Sequence, residues 1–232
     1  MKMKTNLQRR GFTLVELLVV IVIIVSLAGL TAPRLIRFLK KGDQVTATSN
    51  GKNLMGTLTE FNNEYGGFPD KETAKAVTER TGSPLNLNGD TSNDYFRQLI
   101  AAKLIKSEDP FWAKTAYSKT KPDNKMTGTE ALKAGEVGFG YMMNGTAALG
   151  NDDPNRIIAM TPLYNCSTKG DFDPDPMNGI AVMVFLDNSV RPLDIREDKK
   201  VSMGKGKTLL DFGETTIWGE DIRPVIKAPK KK

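Results

Sequence analysis

The chain has 232 residues, 33 Lys and Arg against 27 Asp and Glu, one cysteine and no histidine, a length that suits one domain with an appendage. Without histidine there is no Ser-His-Asp or Cys-His pair, no His-ligated zinc and no imidazole acid–base chemistry, and a lone Cys166 closes no intramolecular disulfide. The net charge of +6 collects at the ends, on Lys2, Lys4, Arg9 and Arg10 and on Lys227, Lys230, Lys231 and Lys232, while residues 66–226 hold 20 basic and 23 acidic side chains and lack the basic footprint of a nucleic-acid-binding domain.

The first element is the apolar run FTLVELLVVIVIIVSLAGL at residues 12–30, in which Glu16 is the one strongly polar member. As a helix rising ~1.5 Å per residue it covers roughly 28 Å, close to the ~30 Å of a bilayer's hydrocarbon core. The basic residues ahead of it bias the N-terminus toward the cytoplasm, although Arg34, Arg37, Lys40 and Lys41 on the far flank weaken that asymmetry. A secretory signal released after Ala28 and a plain single-pass anchor are two other readings of such a run. Neither uses Glu16, and a carboxylate at the bilayer centre costs about 2.5–3.5 kcal/mol on insertion scales, so Glu16 needs a partner.

The string Gly11-Phe12-Thr13-Leu14-Val15-Glu16, with Arg9-Arg10 before it and the apolar run behind it, resembles the class III signal of type IV pilins and type II secretion pseudopilins. The resemblance implies that residues 1–11 are a leader and that a prepilin peptidase cuts between Gly11 and Phe12 on the cytoplasmic side. It implies that Phe12 is then N-methylated, that Glu16 is the family's assembly glutamate, and that Pro33 stands where the family has a helix-kinking proline. It also implies a homo-oligomeric filament, an inner-membrane assembly platform and minor pseudopilins as partners, and a periplasmic head that is not an enzyme. In a helical stack the Phe12 amine of one subunit can sit beside Glu16 of a neighbour, neutralising both charges in low dielectric and pinning the register.

After Pro33 the pattern turns amphipathic, with Leu35, Ile36, Phe38, Leu39 and Val45, then Leu54, Leu58, Phe61 and Tyr65, whose i, i+4, i+7, i+11 spacing shares one helical face. The expectation is one helix from Phe12 to about Tyr65, its 12–33 part a membrane and filament-core segment and its 34–66 part the half that carries the head. Gly42, Gly51 and Gly56 each weaken a helix by up to ~1 kcal/mol, so local melting is expected near Pro33 and Gly42. Gly66-Gly67 supplies a C-cap and Phe68-Pro69 a stop.

The head is expected at 67–226. Asp70 caps a short helix to Arg80, and Thr91 or Ser92 caps a second with Tyr95, Phe96, Leu99, Ile100 and Leu104 on one face. Strands are expected at 138–143, 156–161, 180–186 and 190–193, the last two joined by a turn at Asp187-Asn188-Ser189. Residues 121–136 and 144–155 read as surface loops, and 227–232 as a basic tail that ends in a solvated Lys230-Lys231-Lys232. The fold class is α+β and pilin-like, a long N-terminal helix packed on a small C-terminal antiparallel sheet.

Asp109-Pro110-Phe111-Trp112, with Tyr117 after it, is similar to the Asp-Pro-Trp stretch of the major pseudopilin with one residue inserted, and with the missing cysteine pair it favours a pseudopilin over an adhesive pilin. Asp171, Asp173 and Asp175 alternate as Ca²⁺ ligands do. Pro176 and Val182 nevertheless stand where an EF-hand loop needs Gly and Glu, so a Ca²⁺ site and a solvated acidic loop are both open. Asp152-Asp153 reads as turn chemistry, Gly204 to Thr208 lacks P-loop spacing, and the scattered aromatics make no base-stacking platform. The expected function is a structural subunit of a type II secretion pseudopilus that supports protein export across the outer membrane. The alternatives are a type IV pilus subunit for adhesion, motility or DNA uptake, and a membrane-tethered binding module.

Overall fold

The computed structural model describes residues 12–128 and 131–232. Helix α1 runs unbroken from Leu14 to Tyr65, through both Pro33 and Gly42, where local melting was expected. Pro33 removes one rung of the ladder, and strong helix formers around it, including Leu27, Ala28, Leu30, Arg34 and Leu35, carry the helix across. It ends as expected at Gly66, which takes φ +77° while its N–H bonds the Asn62 carbonyl at 2.9 Å.

One compact unit ends at Leu39 and the next begins at Lys40. In the second unit, α1 buries Gln44, Ala47, Gly51, Leu54, Met55, Leu58 and Phe61, a stripe at helical spacing that includes the expected Leu54, Leu58 and Phe61. Tyr65 is half-buried and stacks on Phe61 at 4.7 Å between ring centroids. Leu35, Ile36, Phe38, Leu39 and Val45, the first apolar residues of the amphipathic pattern, are 54–74% exposed, so the covered stripe starts a turn or more later than the apolar pattern does.

Helix α2, Lys71–Thr81, starts where Asp70 accepts from the N–H groups of Glu72 and Thr73 at 2.9 and 2.8 Å, while the Thr73 hydroxyl accepts from the Asp70 N–H at 2.8 Å. This reciprocal cap fixes the chain's entry into the helix. Helix α3, Ser92–Ala101, is capped by Thr91, whose N–H donates to the Asp94 carboxylate at 2.9 Å. It stops short of Leu104, which was expected on its face, because Lys103 turns left-handed at φ +61°.

The strands are β1 Gly140–Asn144, β2 Ile157–Thr161, β3 Ile180–Phe185, β4 Val190–Asp194 and β5 Pro224–Lys227, in the antiparallel order β4-β3-β2-β1-β5. The first four form the expected meander. The fifth was not foreseen: it opens on Pro224 and returns to the free edge of β1, pairing Met142 with Ile226. The head–tail boundary expected at 226/227 therefore falls inside a strand. Beyond it Lys227 pairs with Asp90 at 2.7 Å, the Ala228 carbonyl accepts from Ser92 N–H at 3.0 Å, and Lys230 N–H donates to Asn93 Oδ1 at 2.8 Å. These contacts tie residues 227–230 to the head, while Lys230, Lys231 and Lys232 are exposed, as expected of them.

The core joins α1, α2, α3 and the sheet in one cluster. Phe96 stacks on Phe111 at 5.4 Å and meets Tyr141 edge-on at 5.5 Å, and the Tyr141 hydroxyl donates to the Pro69 carbonyl at 3.0 Å. Residues 195–223, between β4 and β5, contribute Val201, Leu209, Trp218 and Ile222, with Trp218 Nε1 donating to the Leu209 carbonyl at 2.6 Å. Part of the loop expected at 121–136 is also interior, since Ala131 and Leu132 are fully buried.

Candidate functional site

Leu14 is the first helical residue, which makes Thr13 the N-cap and Glu16 the third position. Glu16 Oε2 accepts from the Thr13 N–H at 2.8 Å and from its hydroxyl at 2.7 Å, and the Thr13 hydroxyl accepts from the Glu16 N–H at 3.2 Å. This is a capping box: two orphan backbone donors are satisfied, and a carboxylate sits at the positive end of the helix dipole. Within a single chain, then, Glu16 already has a hydrogen-bonding partner. The signal was present as Thr-x-x-Glu ahead of an apolar run, and a reading that weighed only the cost of the charge passed over it.

Phe12 lies just before the cap and is 76% exposed. Gly11, the other half of the expected cleavage pair, lies outside the described residues, as do the four N-terminal cations. Because Thr13 and Glu16 both lie after the 11/12 bond, cleavage there leaves the cap on the mature chain.

Behind the cap, residues 14–30 bury nothing. Exposure runs along every side of the helix, from Leu14 at 79% to Val20 at 44%. Ser26 and Thr31 turn their hydroxyls back to the Val22 and Leu27 carbonyls at 2.8 and 3.0 Å, so neither presents a free donor. An all-round apolar helix belongs in lipid or at the centre of an assembly, and this one is long and apolar enough to cross a membrane. Pro33 lies within the same exposed stretch.

In the acidic run the three carboxylates are held separately. Asp171 pairs with Lys200 at 2.7 Å and accepts from the Ser167 hydroxyl at 2.9 Å, Asp173 accepts the Asp175 N–H at 3.1 Å, and Asp175 pairs with Lys40 at 2.7 Å. Each carboxylate is turned to its own partner. Among the described residues, the three carboxylates that do gather are Glu108, Asp123 and Glu136, each offering an oxygen within 4.8 Å of the other two.

The Asp-Pro-Phe-Trp stretch forms a single 3-10 turn, Asp109–Phe111, with Phe111 and Trp112 buried. The Trp112 carbonyl accepts from Asn50 Nδ2 on α1 at 2.8 Å. The Tyr117 hydroxyl donates to the Gly138 carbonyl at 2.8 Å and accepts from Leu163 N–H at 3.2 Å, and its burial pushes the phenol well above the ordinary range. These residues tie helix, loop and sheet together. Cys166 is half-buried, and burial pushes its thiol up to about 11, which leaves it protonated and unreactive at neutral pH. Asp152 pairs with Arg156 at 2.6 Å and Asp153 accepts from Asn155 N–H at 2.9 Å, the turn chemistry expected there.

Residues 6–32 match the family model of the prokaryotic N-terminal methylation motif, so the chain carries the type IV pilin and pseudopilin signal. No curated protein and no solved structure matches the chain. The motif implies processing by a prepilin peptidase and assembly into a filament, and the exposed apolar helix behind it suits a membrane-anchored precursor.

Proposed function

We propose that this chain is a non-catalytic structural subunit of a type II secretion pseudopilus. Its precursor is held in the inner membrane by α1 with the head on the periplasmic side, cut between Gly11 and Phe12, methylated at Phe12, and passed by an assembly platform into a filament with copies of itself and minor pseudopilins. The observation that carries this reading is the union of the methylation motif with an apolar helix whose described side chains are exposed all round. The bilayer covers it first and neighbouring copies cover it later, where close packing between helices replaces packing against lipid. The Asp109 to Trp112 stretch with Tyr117, and a lone cysteine that closes no loop, support the secretion filament over an adhesive pilus.

Glu16 has two roles in this scheme, cap and charge, and they separate by substitution. Gln at the third helical position still caps, whereas it cannot pair with a neighbour's amine. Glu16→Gln and Glu16→Ala are therefore both expected to insert, to be processed to a methylated Phe12 N-terminus, and to give at least tenfold fewer filaments, read by shearing and electron microscopy. Full rescue by Gln reduces Glu16 to a cap. An intact mass showing a chain that starts at Met1 or after Ala28 overturns the whole reading, and filaments at the cell surface with secretion unimpaired by deletion would assign the subunit to a type IV pilus instead.

A further inference from the structure

We propose that Glu108, Asp123 and Glu136 form a binding site for one hard divalent cation, Ca²⁺ by size, in the connection between α3 and β1. The three residues lie 15 and 13 positions apart in sequence, and the fold brings a carboxylate oxygen of each within 4.8 Å of the others. Ca²⁺–oxygen bonds of about 2.3–2.6 Å give a coordination sphere about 4.6–5.2 Å across, so all three oxygens fit on one such sphere. The donor set is all oxygen, with no imidazole or thiolate, which selects a hard cation over zinc or copper.

Glu108 supplies the decisive observation. Its side chain is completely buried, and Oε1 accepts from Leu132 N–H at 2.7 Å while Oε2 is buried with no hydrogen-bond partner. A buried carboxylate oxygen without a partner is costly. The two neighbouring carboxylates add repulsion to burial, and both hold the Glu108 carboxyl above its ordinary range. A bound cation removes the desolvation and the repulsion together. Glu136 accepts from Lys133 N–H at 2.6 Å, and Asp123, on the solvent side, is met by Lys133 Nζ at 2.8 Å and Lys125 Nζ at 3.7 Å. Those two ammonium groups compete with the cation for Asp123, which places the affinity at the weak end of the Ca²⁺ range.

This inference is independent of the filament assignment and is tested on the full chain in detergent micelles after chelator treatment. Titration calorimetry with CaCl₂ is expected to show one Ca²⁺ per chain, and the thermal unfolding midpoint is expected to rise with Ca²⁺ and fall back with EDTA. Glu108→Gln keeps an acceptor for Leu132, and Asp123→Asn changes an exposed group, so both are expected to fold and to weaken binding at least tenfold, with Asp171→Asn unchanged. Absence of saturable binding up to roughly 10 mM, above the 10⁻⁴–10⁻³ M of extracellular Ca²⁺ modules, overturns the proposal. Loss of binding in Asp171→Asn with Asp123→Asn intact does so equally.

Discussion

The two halves of α1 share one backbone conformation and differ in what covers them. From Leu14 to Leu39 every described side chain is exposed, apolar residues face all directions, and the polar atoms of Glu16, Ser26 and Thr31 are satisfied inside the helix itself. From Gln44 to Phe61 the buried residues form a single stripe, and cross-links reach the head from Asn50 to Trp112, from Thr59 to Asn188 and from Asp43 to Lys114. Local propensity makes both halves helical, and the distribution of apolar residues around the axis decides the partner. A stripe implies a partner within the chain, and a fully apolar girth implies one outside it.

The largest test of that difference removes one half. Among the described residues, deleting 1–39 takes away no member of the hydrophobic core, whose first residue is Ala47. The remaining chain is expected to stay folded and to run as a monomer by size-exclusion chromatography with light scattering, with filament assembly abolished. A truncated chain that still polymerises would show that the heads, and not the apolar girth, hold the filament.

A finer cut places one truncation in each half. Phe61 is fully buried, and Phe61→Ala is expected to cost about 3–5 kcal/mol of head stability, a fall in the unfolding midpoint on the order of 10 °C. Leu18 is 51% exposed, and Leu18→Ala is expected to leave head unfolding within about 0.5 kcal/mol while reducing filament yield. Urea unfolding followed by near-UV circular dichroism reads the first effect and sheared-filament yield the second; equal stability losses in the two variants would erase the distinction between the halves.

What could be read in advance was whatever neighbours in sequence decide. The Leu54, Leu58, Phe61 spacing, the Asp70 cap and the Asp187-Asn188-Ser189 turn are each complete within a few residues, and all three stand as expected. The exposure of Leu35 to Leu39 was not legible, because periodicity marks an apolar face without saying whether its cover is in the same chain. Strand β5 escaped because its partner, β1, lies some eighty positions earlier and its own four residues open on a proline. The acidic loop's partners, Lys40 and Lys200, arrive from remote segments, as do the three members of the Glu108 cluster. The Thr13–Glu16 box is fully local and legible as Thr-x-x-Glu ahead of an apolar run.

The smallest expected effects come from glycines, and they report on the same contrast. A Cβ placed on Gly56 meets nothing within 4 Å, so Gly56→Ala is expected to stabilise the head by about 0.5–1 kcal/mol through the helical backbone alone. At Gly51 the same atom would lie 3.0 Å from Val184 Cγ2 and 3.4 Å from Val190 Cγ1, because here the helix approaches β3 and β4 closely. Overpacking costs about 1–3 kcal/mol, which outweighs the propensity gain and makes Gly51→Ala destabilising. Gly29 sits in the uncovered half with nothing within 4 Å, and Gly29→Ala is expected to leave head stability unchanged. If small residues let neighbouring helices pack closely in the filament, that variant lowers filament yield alone. Thermal unfolding of all three variants decides the matter: opposite signs at Gly51 and Gly56 establish that the second half of α1 is seated against the sheet, whereas a shared sign would place the helix farther from β3 than Val184 implies.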